Sequence, residues 1–315
     1  MKYLLGIDGG GTKTALCAVS LDDNEIKYAV TSGTSWREHG VDGVAGKLKE
    51  AAHKLTGGSI NGIAMGLPCY GESRIGDEAL AQAIHQEFPG IPIYITNDVE
   101  VGWAGSLALE PGINIVAGTG SIAFGRDESG KTARNGGWSE FFSDEGSCYW
   151  MGRKVLEMYS KQADGRIPKD ALYDIVCRAF GIADDFDIID PIHNEYMPYR
   201  EKVASLQMLA NEAAELGSAC VLALYKEAVG ELTLMVSAIK NQLNFLKTPF
   251  TVSYSGGLFK AGGFVLPLYS QEVERLGGKL AAPVLKPEEG ALLLACEQFS
   301  SQNFEKVKKM LMEQR

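Results

Sequence analysis

Three short stretches of this chain hold the residues best suited to chemistry. The first is Asp8-Gly9-Gly10-Gly11-Thr12-Lys13-Thr14. Successive glycines let a backbone turn tightly and aim its N–H groups at an anion. Thr12 adds a hydroxyl donor, and Asp8 is a carboxylate that can hold Mg²⁺ through water. A triple glycine beside an acid is more than a hairpin requires, so a phosphate site is the better reading. The second stretch, Gly118-Thr119-Gly120-Ser121, suits phosphate in the same way, and a plain type I′ hairpin explains it equally well. The third is Ser255-Gly256-Gly257-Leu258, a small-residue strand end on which an adenine or ribose can lie flat. Two familiar motifs are excluded. A P-loop needs Gly-Lys-Ser/Thr opening a helix, whereas here Thr12 precedes Lys13 and a strand follows. Gly118 to Ala123 matches the relaxed dinucleotide fingerprint, but the residues after it read as strand and turn rather than helix.

Two acids stand where α/β sites form. Asp98 follows the apolar run IPIYIT and precedes a helix, at the carboxyl end of a strand. It can take the proton of a hydroxyl that attacks a phosphoryl group, or it can simply cap the helix. Asp144, in Asp144-Glu145-Gly146-Ser147, carries the same capping alternative. Trp138 follows Gly136-Gly137 and is either a platform for a sugar ring or a core residue. His39, His53, His85 and His193 show no metal spacing. The six cysteines (17, 69, 148, 177, 220 and 296) form no CxxC pair and read as thiols of a reducing compartment.

The elements that must position these groups follow from the pattern. Residues 2–8 and 13–20 read as two strands around the first glycine turn, with a third near 25–31. A helix over 41–55, a strand at 60–66, a helix at 77–88, a strand at 91–96 and a helix at 99–109 follow. The pattern then restarts as strand, glycine turn and strand over 113–126. A helix spans roughly 145–161, residues 162–200 read as irregular, one long helix begins near 203, and 251–257 is a strand. The end, 289–296 and 304–313, is helical. Two glycine hairpins about 110 residues apart suggest a duplicated α/β core with a cleft between its halves. Pro111-Gly112 marks the joint, giving units 1–111 and 112–295, with the last helix (296–315) free to pack back on the first.

The 315 residues are 45% hydrophobic and carry a net charge of −10, with a sequence pI near 5.0. That is apolar material for two domains, and an acidic balance argues against nucleic-acid or anionic-membrane partners. The apolar run near the N-terminus is too short for a signal peptide, and no stretch approaches a membrane span. The expected setting is the cytoplasm.

Taken together, the motifs resemble the actin/hexokinase superfamily, whose fold is a duplicated ribonuclease H-like one with two domains and an interdomain cleft. LGIDGGGTKT is similar to its first phosphate motif, IVAGTGS to its second and YSGGLFKAG to its adenosine motif. TNDVEVGWAG and EEGALLLA resemble its two connecting helices. NGGWSEFFSDEGSCYWMGR is similar to the N-acetylglucosamine kinase branch of the BadF/BadG/BcrA/BcrD ATPase type.

The resemblance implies ATP and Mg²⁺ as cofactors and an amino sugar as substrate: N-acetylglucosamine, N-acetylmuramic acid or glucosamine. Asp8 would organise Mg²⁺. Gly10, Gly11, Thr12 and Lys13 would hold the ATP phosphates, closed upon by Thr119 and Gly120, and Gly256 and Gly257 would pack against adenosine. Asp98 would be the general base. Gly71, Gly137, Trp138, Ser139 and Asp144 would line the sugar. Thr34 and Trp36 belong to the loop Gly33-Thr34-Ser35-Trp36-Arg37, where the family commonly carries an Asn. Arg37 there could pair with a sugar-borne carboxylate or stand in solvent. The zinc-binding cysteine motif of the ROK kinases and the cluster cysteines of the dehydratase activators are absent, so neither zinc nor an iron–sulfur cluster is implied. The alternative function is that of an ATP-hydrolysing activator of the BadF type. A homodimer is an admissible assembly.

Overall fold

The computed structural model describes residues 2–314. It forms two compact units, one of the residues up to Pro111 together with those from Ala282 onward, the other of Gly112–Ala281. The chain therefore returns to the first unit at Ala282, earlier than the 296 expected from sequence.

In the first unit, β1 (Tyr3–Gly9), β2 (Lys13–Ser20) and β3 (Ile26–Ser32) form an antiparallel meander. After α1 (Trp36–His39) and α2 (Val41–Thr56), β4 (Ile60–Leu67), α3 (Arg74–Glu87), β5 (Ile93–Asn97) and α4 (Asp98–Leu107) alternate. The sheet order is β3-β2-β1-β4-β5, with β1, β4 and β5 parallel. Side chains alternate across a strand. Tyr3, Leu5 and Ile7 therefore enter one core with Leu48 of α2 and Leu80 and Ile84 of α3. Leu4, Gly6 and Asp8 face the other side of the sheet.

The second unit repeats the plan. β6 (Gly112–Ala117), β7 (Ser121–Arg126) and β8 (Thr132–Gly136) form the meander. A helical region follows, made of α5 (Cys148–Ala163), α6 (Ala171–Phe180), short turns over 185–196 that include α7 (Ile189–Pro191), α8 (Arg200–Ser205), α9 (Gln207–Glu215) and α10 (Ala219–Gln242). Then come β9 (Phe250–Ser255), α11 (Gly262–Arg275) and β10 (Gly278–Ala281). The order β10-β9-β6-β7-β8 matches that of the first sheet, strand for strand.

Returning to the first unit, α12 (Pro287–Phe299) and α13 (Phe304–Glu313) end the described chain. α12 lies on the face that carries Leu4 and Gly6. A Cβ at Gly6 would stand 2.1 Å from the Leu292 backbone nitrogen, and one at Gly290 would stand 2.1 Å from that of Gly105 in α4. Only bare backbone admits so close an approach.

Three elements differ from the sequence reading. The long helix expected from 203 is three helices: α8 and α9 part at Leu206, and α9 and α10 part where Gly217 turns left-handed (φ 79°) and Ser218 caps α10 through its side chain. Residues 162–200 are not irregular throughout, since α6 lies there. The edge strands β8 and β10 were not expected. Among the described residues no helix is long and apolar enough to cross a membrane, and all six cysteines are free thiols.

Candidate active site

In the first unit the candidate residues gather where β1 ends and α4 and α12 begin. The β1–β2 turn is closed by the Gly10 N–H donating to the Lys13 carbonyl at 2.9 Å. Thr12 and Lys13 stand exposed at its tip. Around Gly11 there is open space within 4 Å of any added Cβ, so the packing of this unit does not demand glycine there. The room is of the kind a phosphate needs. Behind the turn, the Thr34 N–H donates to the Gly10 carbonyl at 2.9 Å, and the Thr34 and Thr14 hydroxyls share a hydrogen bond of 2.9 Å. Lys47 of α2 holds the Gly33 carbonyl at 2.7 Å. Thr34 is fully buried. Its side chain braces the first turn, which leaves little of it to meet a sugar as the sequence reading expected.

Asp8 sits on the α4/α12 face of β1, among acids. Burial pushes its carboxyl well above the usual carboxylate range, with Asp98 and then Glu288 adding to the effect and Lys13 opposing it. Asp98 is the first residue of α4 and is half-buried. It is not the cap: Asn97 fills that role, its side chain accepting from the Val99 N–H at 3.0 Å. Asn97 also donates to the Tyr70 carbonyl at 2.7 Å, tying the loop after β4 to the start of α4. That loop leads through Cys69, held at φ 64°, to Gly71. Gly71 lines an open depression of about 420 Å³ with Tyr70, Glu72, Ser73, Arg74 and Asp77. Trp36 packs against Gly76 at the start of α3, and Arg37 lies over its ring and 3.5 Å from Glu72.

The donor set suits Mg²⁺ in one particular manner. Among the described residues no three His, Cys, Asp or Glu side chains gather into a metal cage. Mg²⁺ ordinarily keeps several waters and is held by one or two carboxylates plus substrate phosphates. Asp8, desolvated and surrounded by like charge, is a carboxylate that gains from such a cation.

The second unit carries its own set. Gly118 also has open space where a side chain would go, and Thr119 is exposed. The N-terminus of α5 braces the turn: the Cys148 N–H donates to the Gly118 carbonyl at 2.8 Å and the Tyr149 N–H to that of Thr119 at 3.3 Å. Ser147 caps α5, so Asp144 is not its cap either. Asp144 is buried at a strained φ of 63°. Its Oδ1 accepts from the Ser121 N–H at 3.2 Å and its Oδ2 from Arg200 of α8. Burial raises the Asp144 pKa; the Ser121 N–H and Arg200 pull it down, while Glu140 and Glu145 push it up.

Gly136 and Gly137 both adopt positive φ and lead into a loop where Trp138 is 77% exposed. Trp138 is thus no core residue. Ser139 accepts from the Phe141 N–H through its hydroxyl at 3.2 Å. Gly256 (φ 106°) lets the third turn press on β6, since a Cβ there would stand 2.3 Å from the Ala117 carbonyl carbon. Gly257 faces Cys148. Sequence reasoning missed Asn97, Glu288, Lys47 and Arg200. A cap could have been sought in Asn97 from its residue type; Arg200 offered no local signal.

Comparisons with known proteins bear on the family and the fold. The profile of the BadF/BadG/BcrA/BcrD ATPase family matches residues 5–295. An N-acetylmuramic acid/N-acetylglucosamine kinase of Clostridium acetobutylicum is 30% identical over 264 residues, 82% of this chain and 86% of the relative. An N-acetyl-D-glucosamine kinase of Dictyostelium discoideum is 26% identical over 311 residues, 93% and 98% of the two chains. The fold is shared with a crystal structure from Chromobacterium violaceum whose provisional name is N-acetylglucosamine kinase. Its TM-score is 0.73 at 24% identity, covering 94% of this chain and 99% of that one.

Proposed function

The chain belongs to the BadF/BadG/BcrA/BcrD ATPase family, and from that premise we propose that it is an ATP-dependent kinase of an amino sugar. The substrate class is N-acetylglucosamine, N-acetylmuramic acid or glucosamine, the sugars named for its relatives. The observation that carries the reading is the placing of Asp98. It opens α4 without serving as the cap, near enough to Asp8 for its charge to raise the Asp8 carboxyl. A carboxylate released from capping duty, beside a glycine turn that keeps room for phosphate, fits a base for a hydroxyl nucleophile.

In this reading Asp98 orients the acceptor hydroxyl and takes its proton. The backbone of Gly10 and Gly11, with Thr12 and Lys13, holds the ATP phosphates, as do Thr119 and Gly120. Gly256 and Gly257 keep the third turn flat for adenosine. Asp8 would hold Mg²⁺ through water, and the ion would neutralise phosphate charge. Gly71, Trp36, Gly137, Trp138, Ser139 and Asp144 form the sugar surroundings, Asp144 through the structure it holds. The cytoplasm is the proposed setting, and solution mass would decide whether the working form is a homodimer.

A coupled ADP-release assay against glucosamine, N-acetylglucosamine, N-acetylmuramic acid and glucose tests the proposal. We expect ADP release that depends on an amino sugar and on Mg²⁺. ATP hydrolysis indifferent to every sugar would favour an activator instead.

A further inference from the structure

Arg200 enters the site from a segment with no motif of its own. It begins α8, and its guanidinium lies directly on the second glycine turn: a Cβ at Gly120 would stand 2.6 Å from Arg200 Nη2 and 2.9 Å from Asp144 Oδ2. Nη2 donates to Asp144, and Nε lies 3.7 Å from Glu140. Asp144 meanwhile accepts the Ser121 N–H, a donor at the foot of the turn. A buried carboxylate so close to a turn that suits phosphate would repel the ligand. Arg200 cancels that charge. A guanidinium has five donors in a planar fork, and the side chain is 40% exposed, so donors remain for a second anion.

We propose that Arg200 is a further catalytic residue of the phosphoryl transfer, its guanidinium clamped by Asp144 on the Gly120 turn to contact the nucleotide's phosphoryl oxygens. The inference rests on the kinase reading. In the step, the acceptor oxygen forms a bond to the γ-phosphorus while the bond from that phosphorus to the β–γ bridging oxygen breaks. The electron pair of the broken bond stays on ADP, and the hydroxyl proton goes to Asp98. Arg200 bears on the phosphoryl charge as it shifts, a contribution of preorganised charge. The rival explanation is that Arg200 only pins α8 to the turn.

The test compares wild type with Arg200→Lys, Arg200→Met and the double variant Arg200→Met/Asp144→Asn, which leaves no unpaired buried carboxylate. Two readouts are taken beside Tm: kcat, and the calorimetric affinity for ADP with aluminium fluoride relative to ADP alone. We expect kcat to fall about 10²–10³-fold in both methionine variants, partial recovery with lysine, and loss of the preference for ADP with aluminium fluoride while ADP affinity holds. A folded methionine variant with wild-type kcat and an intact preference would overturn the proposal, as would a loss confined to Tm. A wild type that releases no sugar-dependent ADP would indict the kinase reading instead, and the aluminium fluoride preference would still decide Arg200.

Discussion

At the scale of single residues, the two acids of the first unit make opposite predictions for stability and the same prediction for activity. Asp98→Asn keeps shape and leaves the Asn97 cap untouched. An acid in the first turn of a helix contributes about 0.3–1 kcal/mol through the helix dipole, so Tm should fall by little. Turnover should fall by about 10²–10⁴-fold if the proton is taken there; near-normal turnover in a stable variant would place the base elsewhere. Asp8→Asn should do something rarer and stabilise the metal-free, nucleotide-free protein. Burial first, then Asp98 and Glu288, raise the Asp8 carboxyl well above its ordinary value. A carboxyl raised by folding binds more protons folded than unfolded. Its contribution is fully present below the unfolded value of about 3.8 and is lost as pH rises through the folded one. Asparagine never ionises and escapes that loss. The variant's Tm advantage should be smallest at the acid end and grow toward neutral pH, while Mg²⁺-dependent turnover drops. Melting curves across that range decide it: a variant less stable than wild type at neutral pH would contradict the charge argument.

Among the elements, the contact of α4 with α12 is backbone against backbone. Gly290→Ala would place a Cβ 2.1 Å from the Gly105 nitrogen and 2.4 Å from the Val101 carbonyl oxygen, backbone atoms that cannot step aside. Forced separation of the two helices should cost about 1–3 kcal/mol or more. The same substitution at Gly230 in α10, where an added Cβ meets nothing within 4 Å, should instead stabilise by about 0.5–1 kcal/mol. Denaturant melts of the pair give opposite signs if packing governs, and the same sign if it does not. The contrast also shows what was legible from residues alone. The paired glycine hairpins announced the repeated sheet because apolar runs flank each turn. Gly217-Ser218 held the signal for the break before α10, but the apolar stripe continues across it and masked the stop. β8 (TARNG) and β10 (GKLA) are edge strands too short and too polar to declare themselves. Asp8 and Asp98 could be found because each lies at a strand end, Asp8 before a glycine turn and Asp98 before a helix. Arg200 could not, because its partner Asp144 is 56 residues away in sequence.

At the scale of the whole molecule, the second unit is inserted in the sequence of the first, between Pro111 and Ala282. Every buried member of the second unit's core lies within Ile113–Val273, so Gly112–Ala281 expressed alone should fold cooperatively. Residues 1–111 alone should not, because α12 covers β1, β2, β4 and α4. Adding a peptide of residues 282–315 should restore protection of the β1 and β4 amides, read by hydrogen exchange. Protection in 1–111 without that peptide would show residues 1–111 to be self-sufficient. The insertion also imposes an order on synthesis. The ribosome must emit the 170 residues of Gly112–Ala281 before it delivers α12, an interval of roughly 10–30 s. During that time Leu4, Val19 and Ala64 of the first sheet wait without α12. A nascent chain caught there is the form of this protein most dependent on chaperones.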